Sequence, residues 1–378
     1  MHAPEPLGGK IFTKPFKTMM VIAIVAFVLL AVRFLFGIGA VTNLSHGYPW
    51  GLWIVYDVVT ATAISCGGYS IALIVYIFNK GEYHPLVRSA LLASMFGYTL
   101  AGFAIFVDIG RYWQMYNIFL PGYANVNSVM FEVAFSISIY IFVMWIEFSP
   151  TFLEAAKKHT ALKNIKKVMF IFIALGILFP TMHQSALGTL MVVAGDKLSA
   201  LWQTGWLPLL FLITAISMGF AIVVFESVFS SITFNRPFET PLLSKLAGVM
   251  PKLLILFFIV RFGDIFWRGA FGEALRFDLN AIMFWVENLI FLYAIITLMP
   301  AEKRNQTKYL YRGAVALIIA GALYRFDVFI VAFNPGAGWH YFPSASEIII
   351  TVGMICIELM AYLVIVKKFS VLPKVEHA

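Results

Sequence analysis

Four side chains between residues 132 and 147 could pass protons. Glu132, Ser136, Tyr140 and Glu147 supply a carboxyl, a hydroxyl, a phenol and a second carboxyl. On a helix they fall within an arc of about 80°, and the stripe runs about 22 Å along the axis. Carboxyls hold and release protons, and hydroxyls relay them. The same stripe would also serve interhelical hydrogen bonding, and Glu147 could snorkel to a membrane surface. Four more acids, Asp57, Glu226, Glu287 and Glu358, also lie in apolar stretches. Ionisable groups at such positions are costly and usually functional.

A second constellation lies in "FPTMHQSALGTL", residues 179–190. Pro180 reads as the end of an apolar stretch, which places His183, Gln184 and Ser185 at a membrane edge. His183 and Gln184 could donate to a carbonyl, Asp57 could deliver protons, and Trp50, Trp53 and Trp202 could shape an entrance. A quinone fits these groups, since its carbonyls need donors, its ring an apolar slot and its reduction two protons. The competing reading makes His183 a water-exposed helix C-cap. Asp108 and Asp264 fall at helix ends beside Arg111 and Arg268, where local ion pairs would fix the loops; Asp108 and Arg111 would then form the rim of the pocket.

Haem b needs paired, buried histidines. The seven here are His2, His46, His84, His159, His183, His340 and His377, all assigned to tails, loops or span ends, so no haem is expected. Cys66 and Cys356 form no CxxC pair, so no iron–sulfur cluster is expected in this chain. Any redox chemistry would take electrons from a partner and pass them to a diffusible lipid carrier.

These residues require helices that cross a bilayer. The chain has 378 residues, is 61% hydrophobic and only 12% charged, with mean hydropathy +0.88. The expected class is an all-α integral membrane protein with ten spans, near 16–37, 50–79, 86–108, 126–148, 165–181, 206–229, 243–263, 279–300, 308–332 and 345–367. With the N-terminus inside, about 20 of the 27 Lys and Arg residues lie on the inner side, so both termini are expected to be cytoplasmic. The formal charge of +8 lies between spans and does not suggest nucleic acid. The outer segments, rich in Gly, Pro and aromatics, suggest a docking surface or a site, or simply interfacial belts.

A weak repeat pairs "FVDIGRYW" with "RFGDIFWR" and "NSVMFEVAF" with "NAIMFWVEN", aligning Asp108 with Asp264 and Glu132 roughly with Glu287. "TATAISCGG" in the second span and "TAISMGFA" in the sixth are small-residue runs suited to close packing. The simplest account is one transmembrane domain, 1–378. It would comprise a tail and first span (1–49), two related four-helix bundles (50–190 and 200–335), and a last span and tail (336–378). Buried acids and a repeat also suit a secondary transporter.

The blocks "PWGLWIVYDVV", "ISCGGYSIALIVYIFNKGEYHPLVRSALLASMFGY", "DIGRYW", "NVNSVMFE", "MHQSALGTL" and "AFNPGAGWHYFP" resemble the NrfD/PsrC family of quinone-interacting membrane subunits. Within it they resemble the ten-span membrane subunits of Hyb-type (hydrogenase-2) [NiFe] hydrogenases. The resemblance implies a bacterial inner-membrane subunit without its own cofactor. It implies docking to a periplasmic ferredoxin-like iron–sulfur subunit, with hydrogenase large and small subunits beyond it, and menaquinone bound near the periplasmic face of the first bundle. The family's aromatic followed by Thr-Gly and Leu reads here as His183-Gln184-Ser185 before Leu187, so His183 would replace a tyrosine-type ligand. The family's polar position near the aromatic entrance maps onto the region of Asp57. Other partners within the family, molybdenum or multihaem, and a purely structural anchor stay open.

Overall fold

In a hydrocarbon layer every backbone N–H and C=O must be satisfied inside its own segment, which for apolar runs of this length means helix. The structure, a computed structural model, describes residues 4–372, so His2, Lys374 and His377 lie outside the described residues. Among the described residues ten helices are long and apolar enough to cross a membrane: α1 (Lys14–Phe36), α2 (Trp53–Ile77), α3 (Gly81–Asp108), α4 (Val129–Ala155), α5 (His159–Val193), α6 (Leu207–Thr233), α7 (Thr240–Trp267), α8 (Leu279–Leu298), α9 (Thr307–Val331) and α10 (Ala345–Lys368).

Contacts between connecting segments define two sides. On one, rich in lysine, Lys245 pairs with Glu82 at 3.0 Å, and Arg88 bonds both Glu154 (2.9 Å) and the Ser370 carbonyl (3.0 Å). On the other, rich in aromatics, the Ser199 amide bonds the Ala332 carbonyl at 2.9 Å, and the Asn43 amide bonds Glu347 at 3.0 Å.

The fifth span differs most from expectation. It runs 35 residues with Pro180 inside it, about 52 Å at 1.5 Å per residue. A membrane helix tolerates an internal proline because neighbouring groups re-satisfy the freed carbonyl. The helix therefore continues past His183 to Val193, and the expected end at Pro180 is corrected.

The small-residue runs pack as their composition suggests. A Cβ at Gly219 of α6 would collide with the Cys66 carbonyl and the Ser70 hydroxyl of α2, so the helices approach at backbone distance. Gly67 of α2 returns the contact, its Cβ position lying 3.1 Å from Ile222. At the periphery α1 packs along α10, with Gly353 against Ala26.

Two spans depart from α geometry. α2 is π-helical over Trp53–Thr60 and Leu73–Ile77, and α9 ends in a π-helical stretch, Asp327–Val331. Thr60 returns its hydroxyl to the Val55 carbonyl at 2.8 Å, five residues back. Such widened turns occur preferentially at functional sites. α10 opens with a capping box, the Ser344 hydroxyl taking the Glu347 amide at 3.1 Å while the Glu347 carboxylate takes the Ser344 amide at 2.7 Å.

Candidate functional site

His183 lies inside α5 and is fully buried, which overturns both its placement at a span end and the helix-cap reading. Its Nε2 is 2.8 Å from the Tyr98 hydroxyl of α3. Nδ1 turns toward the Phe179 carbonyl one turn back without a well-aligned hydrogen bond. The Tyr98 ring meets Tyr140 of α4 edge-on at 4.6 Å, Tyr140 is 6.0 Å from the imidazole, and the Tyr98 hydroxyl is 3.4 Å from Cys66 Sγ on α2. Three spans thus meet at the imidazole, and a fourth, α2, reaches the tyrosine that bonds it.

Gln184 reaches two further spans. Its amide nitrogen donates to Thr62 of α2 at 3.0 Å, and its oxygen accepts from Arg325 of α9 at 3.3 Å. Arg325 also reaches Thr214 (3.1 Å) and the Phe211 carbonyl (3.1 Å) of α6. A fully buried guanidinium needs several acceptors, and here it draws them from α5 and α6. Arg325 was not anticipated: at the end of an apolar run, arginine reads as a snorkelling residue.

Asp57 is fully buried in the π-helical start of α2. Thr351 of α10 donates to its Oδ2 at 3.1 Å, and Oδ1 has no partner among the described residues. Trp53 donates to the Glu347 carbonyl at 3.3 Å, and Trp50 to the Phe329 carbonyl at 2.9 Å. Among the described residues no hydrogen bond joins Asp57 to His183: Asp57 is held by α10 and His183 by α3. Trp202 is not at this entrance. It donates to Glu287 at 3.1 Å in the other half of the protein.

Along α4, Ser136 and Tyr140 are buried, while Glu132 and Glu147 are half-buried. The Ser136 hydroxyl donates to the Glu132 carbonyl at 2.5 Å and lies 3.1 Å from that of Val133, so its proton points back into its own helix. Glu147 lies against Gly176 of α5 and faces a cavity of about 680 Å³ on the lysine-rich side, shared with Tyr76, Arg88, Lys166 and Glu239. Burial pushes the Glu239 carboxyl above the usual carboxylate range, with Arg236 opposing.

The expected pair of Asp108 with Arg111 is absent among the ion pairs of the described residues. Arg111 is exposed on the loop, whereas the buried Arg33 of α1 lies beside Asp108 and bonds the Val107 and Ile109 carbonyls, each at 2.6 Å. A guanidinium arriving from a neighbouring span can reach the last carbonyls of α3 from the protein interior. Its repeat counterpart behaves as expected, Arg268 pairing with Asp264 at 2.7 Å. Glu287 forms a buried ion pair with Arg261, beside Asn288, and the Asp327 carboxyl abuts it. Neither Arg261 nor Asp327 was anticipated.

On the aromatic side, loops around 196–203 and 331–340 enclose about 780 Å³, lined by Lys197, Glu273, Asn334 and His340. Exposed rings surround this face, Trp267 at 91% and Tyr123 at 75% exposure among them. Tyr341 bonds Glu347 (2.7 Å) and accepts from the Leu52 amide (2.7 Å); burial and the Glu347 carboxyl push its phenol up.

The family model for NrfD, polysulphide reductase, matches residues 40–334. The probable Ni/Fe-hydrogenase 2 b-type cytochrome subunit of Escherichia coli K12 is 43% identical over 379 residues, covering 100% of this chain and 97% of that protein. The integral membrane subunit of menaquinone reductase from Nitratidesulfovibrio vulgaris is 26% identical over 82% of this chain and 80% of its own. The Hdr-like menaquinol oxidoreductase integral membrane subunit of Archaeoglobus fulgidus is 22% identical, covering 88% and 87%. The cytochrome in the first of these names implies a haem, but the described residues do not fit one held by two histidines. His46, His84, His159 and His340 are exposed, and the one buried imidazole, His183, is bonded to Tyr98. The match over residues 40–334 and the full-length relative at 43% identity together make this ten-span membrane protein a member of the NrfD polysulphide reductase family.

Proposed function

We propose that the chain is the membrane anchor and quinone-reducing subunit of a [NiFe] hydrogenase complex, with its aromatic side facing the periplasm. The observation that carries this reading is the buried Tyr98–His183 pair, a donor set enclosed by α2 to α5, in a chain 43% identical to a hydrogenase 2 membrane subunit. Two other relatives carry menaquinone or menaquinol in their names, which supports menaquinone as the substrate. The lysine bias supports cytoplasmic termini. Neighbour contacts among α2 to α5 and among α6 to α9 support two bundles.

Electrons arrive from a periplasmic ferredoxin-like iron–sulfur subunit, fed by the hydrogenase large and small subunits. Each quinone takes two electrons and two protons, and an O–H bond forms at each carbonyl oxygen. His183 and Gln184 orient the head group, with Trp53, Asp108 and Arg111 toward its periplasmic rim. Protons enter from the cavity at Glu147 and move by way of Tyr140, Ser136 and Glu132, with Asp57 as the last relay. The Ser136 hydroxyl must rotate off its own backbone to serve.

The test uses the purified complex with His183→Ala. Menaquinone-analogue reduction should fall by about 100-fold, while hydrogen oxidation with an artificial dye persists. Normal quinone reduction in this variant would sink the pocket. Purified complex that contains no nickel would point to a different catalytic partner.

A further inference from the structure

Four polar residues of α10, Glu347, Thr351, Glu358 and Tyr362, fall within an arc of about 60° and span about 22 Å. This face is turned inward, and each residue meets a different element. Glu347, at the aromatic side, is an anchor whose carboxylate accepts from the amides of Asn43 and Ser344 and the hydroxyl of Tyr341. Thr351 donates to Asp57 of α2. Glu358 points its carboxyl at Gly97 of α3, 3.4 Å from where a Cβ would sit, and the Ser65 hydroxyl of α2 presses on the same spot. Tyr362 donates to Glu226 of α6. Below it, Arg236 and Glu239 interact electrostatically, and Glu239 lines the cavity on the lysine-rich side.

Charge balance does not explain these acids. Among the described residues Asp57, Glu226 and Glu358 have no ion pair, although α1, α7 and α9 each carry a buried arginine, Arg33, Arg261 and Arg325. Packing does not explain them either, because the Asp57 Oδ1 is buried without a partner among the described residues. Carboxyl groups at membrane depth, on facing helices and interleaved with hydroxyls, are suited to carrying protons.

We propose that α10 carries a second proton route. It runs from the lysine-rich side through Glu226 and Tyr362 to Glu358, then past Ser65 to Thr351 and Asp57. The proposal rests on the quinone-reduction reading and extends it. Reduction needs two protons, and the α4 stripe and the α10 ladder supply two routes that converge on Asp57. The electrons come from the partner iron–sulfur subunit, and the protons from the aqueous phase on the lysine-rich side. α10 lies outside residues 40–334, so the ladder depends on a span beyond the family match.

The experiment uses the whole complex in liposomes, oxidising hydrogen with a menaquinone analogue and with a dye. Glu358→Gln should lower quinone reduction and proton uptake from the lysine-rich side by about 100-fold. Dye reduction should hold, and Glu358→Asp should restore most of the loss. Tyr362→Phe should slow both processes in parallel. Wild-type quinone reduction and proton uptake in both Glu358→Gln and Tyr362→Phe would overturn the route. A readout independent of quinone is the infrared carboxylic C=O band of the reconstituted complex. A deuterium-sensitive band lost in Glu358→Gln is expected, and its absence from the unmutated protein overturns the route. A failure of the quinone-reduction reading shows separately, as an unmutated complex that reduces the dye but no quinone.

Discussion

Tyr98 on α3 and His183 on α5 meet through a 2.8 Å hydrogen bond, with neither side chain exposed and the two 85 positions apart in the chain. The pair holds the imidazole beside Tyr140, and the same Tyr98 hydroxyl lies against Cys66, so the fold sets the orientation of His183.

Tyr98→Phe keeps the ring packing and removes that partner. A buried imidazole left unsatisfied costs about 1–3 kcal/mol, so the thermal midpoint of the detergent-solubilised protein should fall. Quinone reduction should fall with it, while dye reduction by the complex holds. An unchanged midpoint would show that the bond does not hold His183.

The Arg261–Glu287 pair makes a separate prediction. Arg261→Leu leaves Glu287 and the abutting Asp327 buried without their cation, a loss of about 3–5 kcal/mol. Arg261→Met combined with Glu287→Leu and Asp327→Asn should recover most of it, because neutral replacement of all three partners removes the unpaired charge. Thermal unfolding of the three proteins side by side decides the matter. A single variant as stable as the parent would rule out a structural role for the pair.

Gly219 tests the α2–α6 contact. Its Cβ position is occupied by the Cys66 backbone and the Ser70 hydroxyl, so Gly219→Ala should cost about 1–3 kcal/mol. Gly263 of α7 has open space at the same position, and Gly263→Ala should be neutral or mildly stabilising. Comparable losses at the two sites would mean that helix propensity, not close approach, governs Gly219.

The spans were legible because hydrophobic length is a local property, readable without knowing any neighbour. The α4 stripe was legible for a similar reason, since four residues on one helix share a face whatever surrounds them. What stayed hidden was tertiary pairing. Arg33, Arg261 and Arg325 sit toward the ends of apolar runs, where arginine ordinarily reaches water, and only the packing of other helices shows that they are buried. The depth of His183 was hidden because Pro180 looks like a terminus in isolation, yet within a bundle the helix runs through it. The repeat suggested equal roles for Asp108 and Asp264. Arg33 belongs to α1, outside the repeated unit, and it gives Asp108 a neighbour that Asp264 lacks.

The π-helical stretch at Trp53–Thr60 bears on how the chain tolerates change in length. Such a turn fits more residues into the same rise than an α turn does, because its hydrogen bonds reach one residue further. Deleting one residue there would let the segment relax to α geometry, and everything from Ala61 onward would keep its facing. The same deletion in the middle of α6 would rotate half that helix by about 100° and turn its packed face away from α2. Within α2, then, the register of the Thr62–Gln184 and Cys66–Tyr98 contacts is insulated from insertions and deletions on the aromatic side.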